Sequence, residues 1–161
     1  MVILLMGVSG SGKTTIGEKL AEATGWTFCD GDALHSPANI AKMSAGTPLA
    51  DADRAPWLAT IRSRIEGWLA RNESAIVACS ALREKYRTIL VVDPARVKIV
   101  CLWGEFDLLA RRMHARRGHF MKENMLRSQF ETLERPPNAL LLNVAETPDT
   151  IVAQIQRELV P

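Results

Sequence analysis

Cysteine is scarce in this 161-residue chain, and its three cysteines lie far apart. The intervals between Cys29, Cys79 and Cys101 match neither a zinc site nor a CxxC redox pair. Each cysteine lies in or beside an apolar run, which predicts three buried and reduced thiols. Because reduced thiols are typical of the interior of cells, we expect a cytoplasmic protein.

Long hydrophobic runs and an excess of charge of one sign are absent as well. The apolar segment Val2–Met6 is far too short to cross a bilayer, and no basic segment precedes it, so we expect no membrane partner. The chain has 20 basic and 18 acidic residues, and this balance argues against nucleic-acid binding by the surface as a whole. Repeats and linkers are lacking too, which predicts a single domain over residues 1–161.

What the chain does have is a regular alternation of short apolar runs with longer segments of helical periodicity. Five runs have the length of buried strands: Val2–Met6, Trp26–Cys29, Ala75–Cys79, Val97–Trp103 and Ala139–Val144. Helices are predicted at 14–24, 37–43, from Asp53 onward, 82–90, 105–117, 123–134 and 148–159. This order predicts an α/β fold of three layers, in which a five-stranded parallel sheet carries helices on both faces.

The segment Ile89–Asp93 resembles the apolar strand and aspartate that bind magnesium in many nucleotide-hydrolysing enzymes. Another strand begins at Val97, whereas neighbouring parallel strands need a crossover of about a dozen residues. We therefore interpret Ile89–Asp93 as the end of a helix followed by a turn. For Tyr86 and Arg87, earlier in that helix, a place on the helix surface is the simple alternative to a functional role.

The residues from Gly7 to Thr14 match the phosphate-binding pattern G-x-x-x-x-G-K-[ST], with a buried strand before them and an amphipathic helix after them. Glycines allow backbone N–H groups to turn inward around phosphates, and the helix N-terminus adds partial positive charge. Lys13, expected to face solvent, would reach the β- and γ-phosphates, and the Thr14 hydroxyl would bind Mg²⁺. The predicted nucleotide-binding residues are Gly7, Val8, Ser9, Gly10, Ser11, Gly12, Lys13, Thr14 and Thr15.

The acidic turn formed by Asp30, Gly31 and Asp32 follows the second predicted strand, at the sheet edge where open α/β proteins bind ligands. Two carboxylates at this spacing can divide their roles, one toward a metal and one toward a substrate hydroxyl. A plain turn is the alternative, since aspartate and glycine both favour turns. The phosphate loop, expected on the neighbouring strand, favours the functional interpretation.

Four arginines, Arg111, Arg112, Arg116 and Arg117, fall within seven positions. They can complement the dipole at a helix C-terminus, bind nucleic acid, or act as a mobile lid that stabilises transferring charge. Beside a phosphate loop the lid is the most economical interpretation, and we place it at about residues 112–122.

With these residues in view, the chain resembles the gluconokinases of the small P-loop family, which are related in fold to shikimate and adenylate kinases. The resemblance runs nearly end to end through the strings FCDGDALH, GTPL, DRAPWL, CSALR, GHFM and SQF, which begin at positions 28, 46, 53, 79, 118 and 128. It implies a P-loop kinase fold with a small arginine-bearing lid. It also implies transfer of the γ-phosphoryl group of ATP to the C6 hydroxyl of D-gluconate.

The resemblance also implies a role for individual residues. Thr14 and, through water, Asp30 would hold Mg²⁺, and Asp32 would bind or deprotonate the attacking hydroxyl. Arg112 and Arg116 match the lid arginines of the family. Candidates for the sugar-acid pocket are His35, Lys42, Arg54, Arg83 and Gln129. Family analogy also admits a homodimer.

Three alternatives differ in what the chain would bind. The first is phosphorylation of another small polyol acid, such as shikimate. The second is a nucleotide-dependent binding switch, although the chain has no [NT]KxD guanine-recognition motif. The third is a nucleic-acid module built on the arginines. Gluconate is an anion, and its recognition needs a fork of cationic donors. Arg54 and Arg83 can supply it, because they follow the two breaks in predicted secondary structure on the side where the substrate is expected.

Overall fold

A computed structural model describes residues 1–115 and 123–160, which form a parallel sheet covered by helices. The strands are β1 (Val2–Met6), β2 (Thr27–Asp30), β3 (Ala75–Ala78), β4 (Val97–Trp103) and β5 (Leu140–Asn143). The α-helices are α1 (Lys13–Thr24), α2 (Pro37–Ser44), α3 (Asp51–Ala70), α4 (Glu84–Leu90), α5 (Phe106–Ala115), α6 (Glu123–Thr132) and α7 (Pro148–Leu159). The predicted α/β fold with five parallel strands is confirmed.

The strands are ordered β2-β3-β1-β4-β5, and all four pairings are parallel. Since β1 occupies the centre, the loop that follows it opens at the middle of the carboxyl edge of the sheet. The expectation that β2 neighbours β1 is wrong, because β3 lies between them. The chain crosses from β2 to β3 through α2 and α3, and periodicity alone does not tell where such a crossover returns.

Two apolar clusters pack against opposite faces of the sheet and make the three layers. Along β1 the side chains alternate between them, with Leu4 and Met6 in one cluster and Ile3 and Leu5 in the other. All five residues of β1 are fully buried. This explains why the strand reads as a continuous apolar run rather than an alternating one.

The segment that follows α4 is a helix end and a turn, as predicted. Helix α4 ends at Leu90, and the Asp93 carboxylate accepts a hydrogen bond from the Ala95 N–H (2.9 Å). Val97 pairs with Val2 at the start of β1, so Asp93 lies at the amino edge of the sheet, opposite the phosphate loop.

Helix α3 begins at Asp51, two residues before the predicted start at Asp53. The Asp53 carboxylate accepts a hydrogen bond from the Ala50 N–H (2.8 Å). Asp53 therefore caps the N-terminus of α3 from the third helical position, within the first turn. It is not the residue that precedes the helix.

The three cysteines are buried and free, as the sequence predicted. Burial is the largest cause that raises the pKa of the Cys79 thiol, to about 12, and the nearby Asp32 carboxylate adds to it. Over the part of the chain that the structure describes, no helix combines the length and apolar character that crossing a bilayer requires.

Of the two alternatives for Tyr86 and Arg87, a place on the helix surface is wrong, because both side chains are buried. Nη1 of Arg87 donates to the carbonyl oxygens of Ala81 and Leu82, at 3.0 Å each. Ala81 has a left-handed backbone (φ 41°), which is costly for a residue with a Cβ and persists only where neighbours hold it. Arg87 therefore fixes the loop after β3.

We expect Arg87→Met to lower the free energy of unfolding by about 1–3 kcal/mol. Methionine keeps most of the volume but leaves the buried Ala81 carbonyl without its charged donor. Urea unfolding measures the effect. Thr88→Ala, an exposed change on the same helix, is the control and should stay within about 0.5 kcal/mol of the wild type. An Arg87 variant as stable as this control would contradict the role given to Arg87.

Candidate active site

The phosphate loop joins β1 to α1, and glycines make its path sterically feasible. A Cβ atom at Gly7 would lie 2.6 Å from the Leu102 carbonyl oxygen and 2.7 Å from Ser11 Oγ. Gly12, which immediately precedes α1, has φ 89°, a backbone conformation that residues with a side chain rarely adopt. The motif glycines therefore hold the loop against β4 and turn it into the helix.

Lys13 folds back over the loop instead of facing solvent. Its Nζ donates to the carbonyl oxygens of Gly7 (3.0 Å) and Val8 (3.1 Å), and the side chain is half-buried. The expectation of a solvent-facing lysine is wrong, because the loop offers two carbonyl acceptors within reach of the ammonium group. The positive charge is thereby held above the loop, where phosphate oxygens would lie.

Thr14, at the start of α1, and Asp30, at the end of β2, meet at the carboxyl edge of the sheet, although β3 separates β2 from the strand that precedes α1. The Thr14 hydroxyl donates to Asp30 Oδ2 (3.1 Å), and Asp30 Oδ1 accepts from the Asp32 N–H (3.0 Å). A hydroxyl and a carboxylate are hard oxygen ligands that fit Mg²⁺, which is usually held by one or two such groups together with phosphates and water. The described residues contain no group of three or more His, Cys, Asp and Glu side chains that could hold a metal without this help.

A cavity of about 300 Å³ opens beside the phosphate loop, between the end of β2, helices α2 and α3, the loop after β3, and α6. The predicted site residues that line it are Ser9, Lys13, Asp32, His35, Arg54 and Gln129. The rest of the lining that sequence reasoning had not assigned includes Met43, Trp57, Ser80, Tyr86, Met125 and Ser128. The acidic turn, the phosphate loop and the Arg54 helix therefore face one cavity.

Trp57 forms one wall of the cavity and ties it to the acidic turn. Its indole Nε1 donates to the Gly31 carbonyl (2.7 Å), and its ring stacks on the His35 ring with centroids 4.1 Å apart. Trp57 belongs to the DRAPWL string, of which only Arg54 was predicted to be a site residue. A buried tryptophan usually finds a hydrogen-bond acceptor for its N–H, and this requirement was the one signal in the sequence that Trp57 contacts a polar part of the site.

His35 is held as a neutral hydrogen-bonding group. Burial lowers its pKa below the usual value, Asp32 opposes this shift, and Arg54 adds to it. Asn39 Nδ2 lies 3.4 Å from His35 Nδ1 and also donates to the Asp53 carbonyl (2.9 Å). Because the amide nitrogen can only donate, Nδ1 accepts and the ring proton is assigned to Nε2.

Arg54 points along the cavity wall toward Tyr86 and not to the acidic residues beside it in sequence. Its Nη1 donates to the Tyr86 hydroxyl (3.2 Å), and its guanidinium carbon lies 5.4 Å from the Tyr86 ring centroid. Asp53 pairs with Lys42 (2.7 Å), while Asp51 accepts hydrogen bonds from Lys85 and Tyr86. Arg54 is thus half-buried in the cavity rather than part of a surface ion pair.

Two of the predicted pocket cations lie outside the cavity lining. Lys42 is exposed and engaged with Asp53, and Arg83 is exposed at the residue that precedes α4. Gln129, in contrast, lies on α6 and contacts the loop directly, since its Oε1 accepts from the Ser9 N–H (2.7 Å). The structure brings Gln129 into the site and leaves Lys42 and Arg83 at its margin.

Arg112 lies on the other side of the phosphate loop from Asp32. Its Nη2 donates to the Val144 carbonyl (2.6 Å), and it lines a second groove, of about 260 Å³, that also includes Gly12 and Thr15. Arg116 and most of the predicted lid lie outside the described residues. The structure therefore separates Arg112 from the cavity that contains Asp32.

Comparison with known proteins identifies the family. A family model described as an AAA domain matches residues 2–136. The thermosensitive gluconokinase of Escherichia coli (strain K12) is 47% identical over 133 residues, which are 83% of this chain and 71% of that protein. The gluconokinase of Gluconobacter oxydans (strain 621H) is 41% identical over 158 residues, 96% of this chain and 89% of the relative. The chain belongs to the gluconokinase family. It is a kinase of the P-loop type, as the resemblance implied.

Solved structures agree with this assignment. A gluconokinase from Sinorhizobium meliloti 1021 superposes with a TM-score of 0.85 at 48% identity, covering 95% of this chain and 87% of its own. The shikimate kinase from Aquifex aeolicus superposes with a TM-score of 0.60 at 17% identity, which shows a shared fold alone. The P-loop kinase fold predicted from the sequence is confirmed.

Proposed function

We propose that this chain transfers the γ-phosphoryl group of ATP to the C6 hydroxyl of D-gluconate, giving 6-phospho-D-gluconate. The observation that carries the proposal is the cavity itself. It places the Asp32 carboxylate and the Lys13 ammonium group against the phosphate loop, and it contains Arg54 as a cation and His35 as a neutral donor. The gluconokinase relatives support gluconate over shikimate as the acceptor, because the shikimate kinase likeness extends to the fold alone.

The chain's own residues divide the work of phosphoryl transfer, which needs mainly positioning and charge stabilisation. Loop N–H groups and Lys13 would bind the phosphates, and Thr14 and Asp30 would hold Mg²⁺. The metal ion, when bound, neutralises charge that develops on the phosphate oxygens. Asp32 would accept the proton of the attacking hydroxyl, since it lines the cavity beside Lys13.

Arg112 and Arg116 remain part of the proposal as lid arginines. In the described structure Arg112 borders the groove that contains Gly12 and Thr15, so we expect it to act on the nucleotide rather than on the acceptor. We also propose that residues 1–161 form one kinase domain that acts in the cytoplasm without nucleic-acid or membrane partners. Light scattering after size exclusion would test whether it forms a homodimer.

The proposed activity is tested by coupled ADP release with ATP and a panel of acceptors. We expect turnover with gluconate and little with glucose, shikimate or nucleoside monophosphates. Turnover with shikimate in place of gluconate would leave the kinase assignment intact and overturn the acceptor. ADP release without dependence on any acceptor would favour the binding-switch alternative.

Arg54→Ala should lower kcat/KM for gluconate by about 10- to 150-fold, because hydrogen bonds to charged groups contribute about 1.5–3 kcal/mol. The Kd for ATP should change little, since Arg54 lies on α3 and not on the phosphate loop. Arg54→Lys should also lose activity, because an ammonium group lacks the planar pair of donors.

The same measurement on Arg83→Ala and Lys42→Ala decides between the three candidate cations. Because both side chains are exposed at the margin of the cavity, we expect smaller losses than for Arg54. A loss below threefold in Arg54→Ala, with a larger one in either other variant, would move the carboxylate contact to that residue.

A further inference from the structure

Tyr86 is the only tyrosine of the chain, and it connects Arg54 to two charged residues outside the cavity. Arg54 and Tyr86 line the cavity, whereas Asp51 and Lys85 are exposed residues beyond its lining. The Tyr86 hydroxyl donates to Asp51 Oδ1 (2.5 Å), and Asp51 also accepts from Lys85. The contacts thus run from the surface through one phenol to the guanidinium group.

The single hydroxyl proton fixes the direction of these contacts. Because that proton is donated to Asp51, the phenol oxygen offers only lone pairs to Arg54 Nη1, at 3.2 Å. The hydrogen bonds from Lys85 and Tyr86 lower the pKa of Asp51 to about 2, and burial followed by the Asp51 contact raises the pKa of Tyr86. Asp51 therefore stays ionised and Tyr86 neutral throughout the neutral pH range.

A neutral acceptor beside Arg54 has a consequence for the charge of the cavity. A carboxylate in the position of the phenol would orient the guanidinium group but would also cancel its charge. Tyr86 orients one N–H of Arg54 without adding a negative charge, and it leaves the remaining donors for a ligand. The tyrosine ring, 5.4 Å from the guanidinium carbon, further limits its movement.

We propose that Tyr86 is a positioning residue that holds Arg54 for the carboxylate of the acceptor and so favours an acid over a neutral polyol. This rests on the proposed function, because it deepens the role of Arg54 in that cavity. Tyr86 itself has no proton to give to the substrate, so its effect should pass entirely through Arg54.

The test is a double-mutant cycle between Tyr86→Phe and Arg54→Ala. Phenylalanine keeps the ring and removes only the hydroxyl. We expect Tyr86→Phe to raise KM for gluconate about 3- to 10-fold, with kcat and KM for ATP within about twofold of the wild type. In the Arg54→Ala background the same change should have no further effect on KM. Asp51→Ala should reproduce the increase, and Asp51→Ala combined with Tyr86→Phe should be no worse than either variant alone.

Thr88→Ala, on the same helix but outside the cavity lining, is the control and should leave all kinetic parameters unchanged. Thermal unfolding of each variant ensures that KM is measured on folded enzyme; if Tyr86→Phe does not fold, the cycle between Asp51→Ala and Arg54→Ala decides. Independent effects of Tyr86 and Arg54, or a loss confined to kcat, would overturn the inference. A wild type that turns over ATP without using gluconate would instead overturn the proposed function and this inference with it.

Discussion

Asp32→Asn is expected to lower kcat by about 10²- to 10⁴-fold, the range that a positioned proton acceptor contributes. Asparagine has nearly the same shape but cannot take the proton of the attacking hydroxyl. The Kd for ATP should change little, because Asp32 belongs to the 3₁₀ turn Gly31–Leu34 after β2 and not to the loop proposed to bind the phosphates. Steady-state kinetics with gluconate and calorimetric titration with ATP measure the two quantities separately.

Asp30→Asn is the matched comparison, two residues away in the same turn. Asparagine still offers an oxygen to the Asp32 N–H, so the turn should keep its conformation while the carboxylate beside Thr14 is lost. We expect this variant to need more Mg²⁺ for half-maximal activity and to recover part of its turnover when Mg²⁺ is raised. If Asp32→Asn were rescued by Mg²⁺ and Asp30→Asn were not, the two roles would have to be exchanged.

The parts of the site that depend on short stretches of chain could be predicted from the sequence. Strands β1 and β4 have the predicted bounds: β1 is an unbroken apolar run buried on both faces, and β4 is apolar except for Lys98. The phosphate loop is equally local, since its conformation depends on glycines at fixed positions. Asp32 could be assigned to the carboxyl edge of the sheet because it lies two residues after a strand.

The parts that depend on strand order and side-chain direction could not be predicted. Thr14 can meet Asp30 because α1 packs against both β3 and β2, and no local pattern contains that information. Helix α4 has seven residues, slightly less than two turns, which is too short for periodicity to show that Tyr86 and Arg87 face inward. For the same reason, the direction of the Arg54 side chain could not be predicted, because its hydrogen-bond partner is Tyr86.

The electrostatics of the cavity show why its residues have to be considered together. Burial is the largest cause that raises the pKa of the Cys79 thiol; Asp32 and, to a smaller extent, Asp30 add to the increase, while Lys13 opposes it, so these three charges lie near the end of β3. His35 experiences Asp32 and Arg54 with opposite effects on its pKa. A cavity bordered by the Asp32 carboxylate near the phosphate loop and by Arg54 on α3 suits a ligand with a hydroxyl at one end and an anion at the other.

Lys13→Ala is expected to lower turnover with ATP and gluconate by about 10²- to 10³-fold or more. Loss of one preorganised donor to developing charge costs about this much, and Lys13 carries a full positive charge. The fold should survive, because the side chain is half-buried and its structural contacts in the loop are to the Gly7 and Val8 carbonyls.

Lys19→Ala on the same helix is the matched control for Lys13→Ala. Its ammonium group pairs with Asp149 (2.7 Å) at an exposed surface, where such a pair contributes little to stability. This variant should keep wild-type turnover, and both variants should unfold within a few degrees of the wild type. A Lys13→Ala enzyme with near-wild-type turnover would contradict the role of the lysine in phosphoryl transfer. Loss of activity together with a large drop in Tm would instead show that Lys13 serves mainly to hold the loop carbonyls, because only a structural role moves both quantities at once.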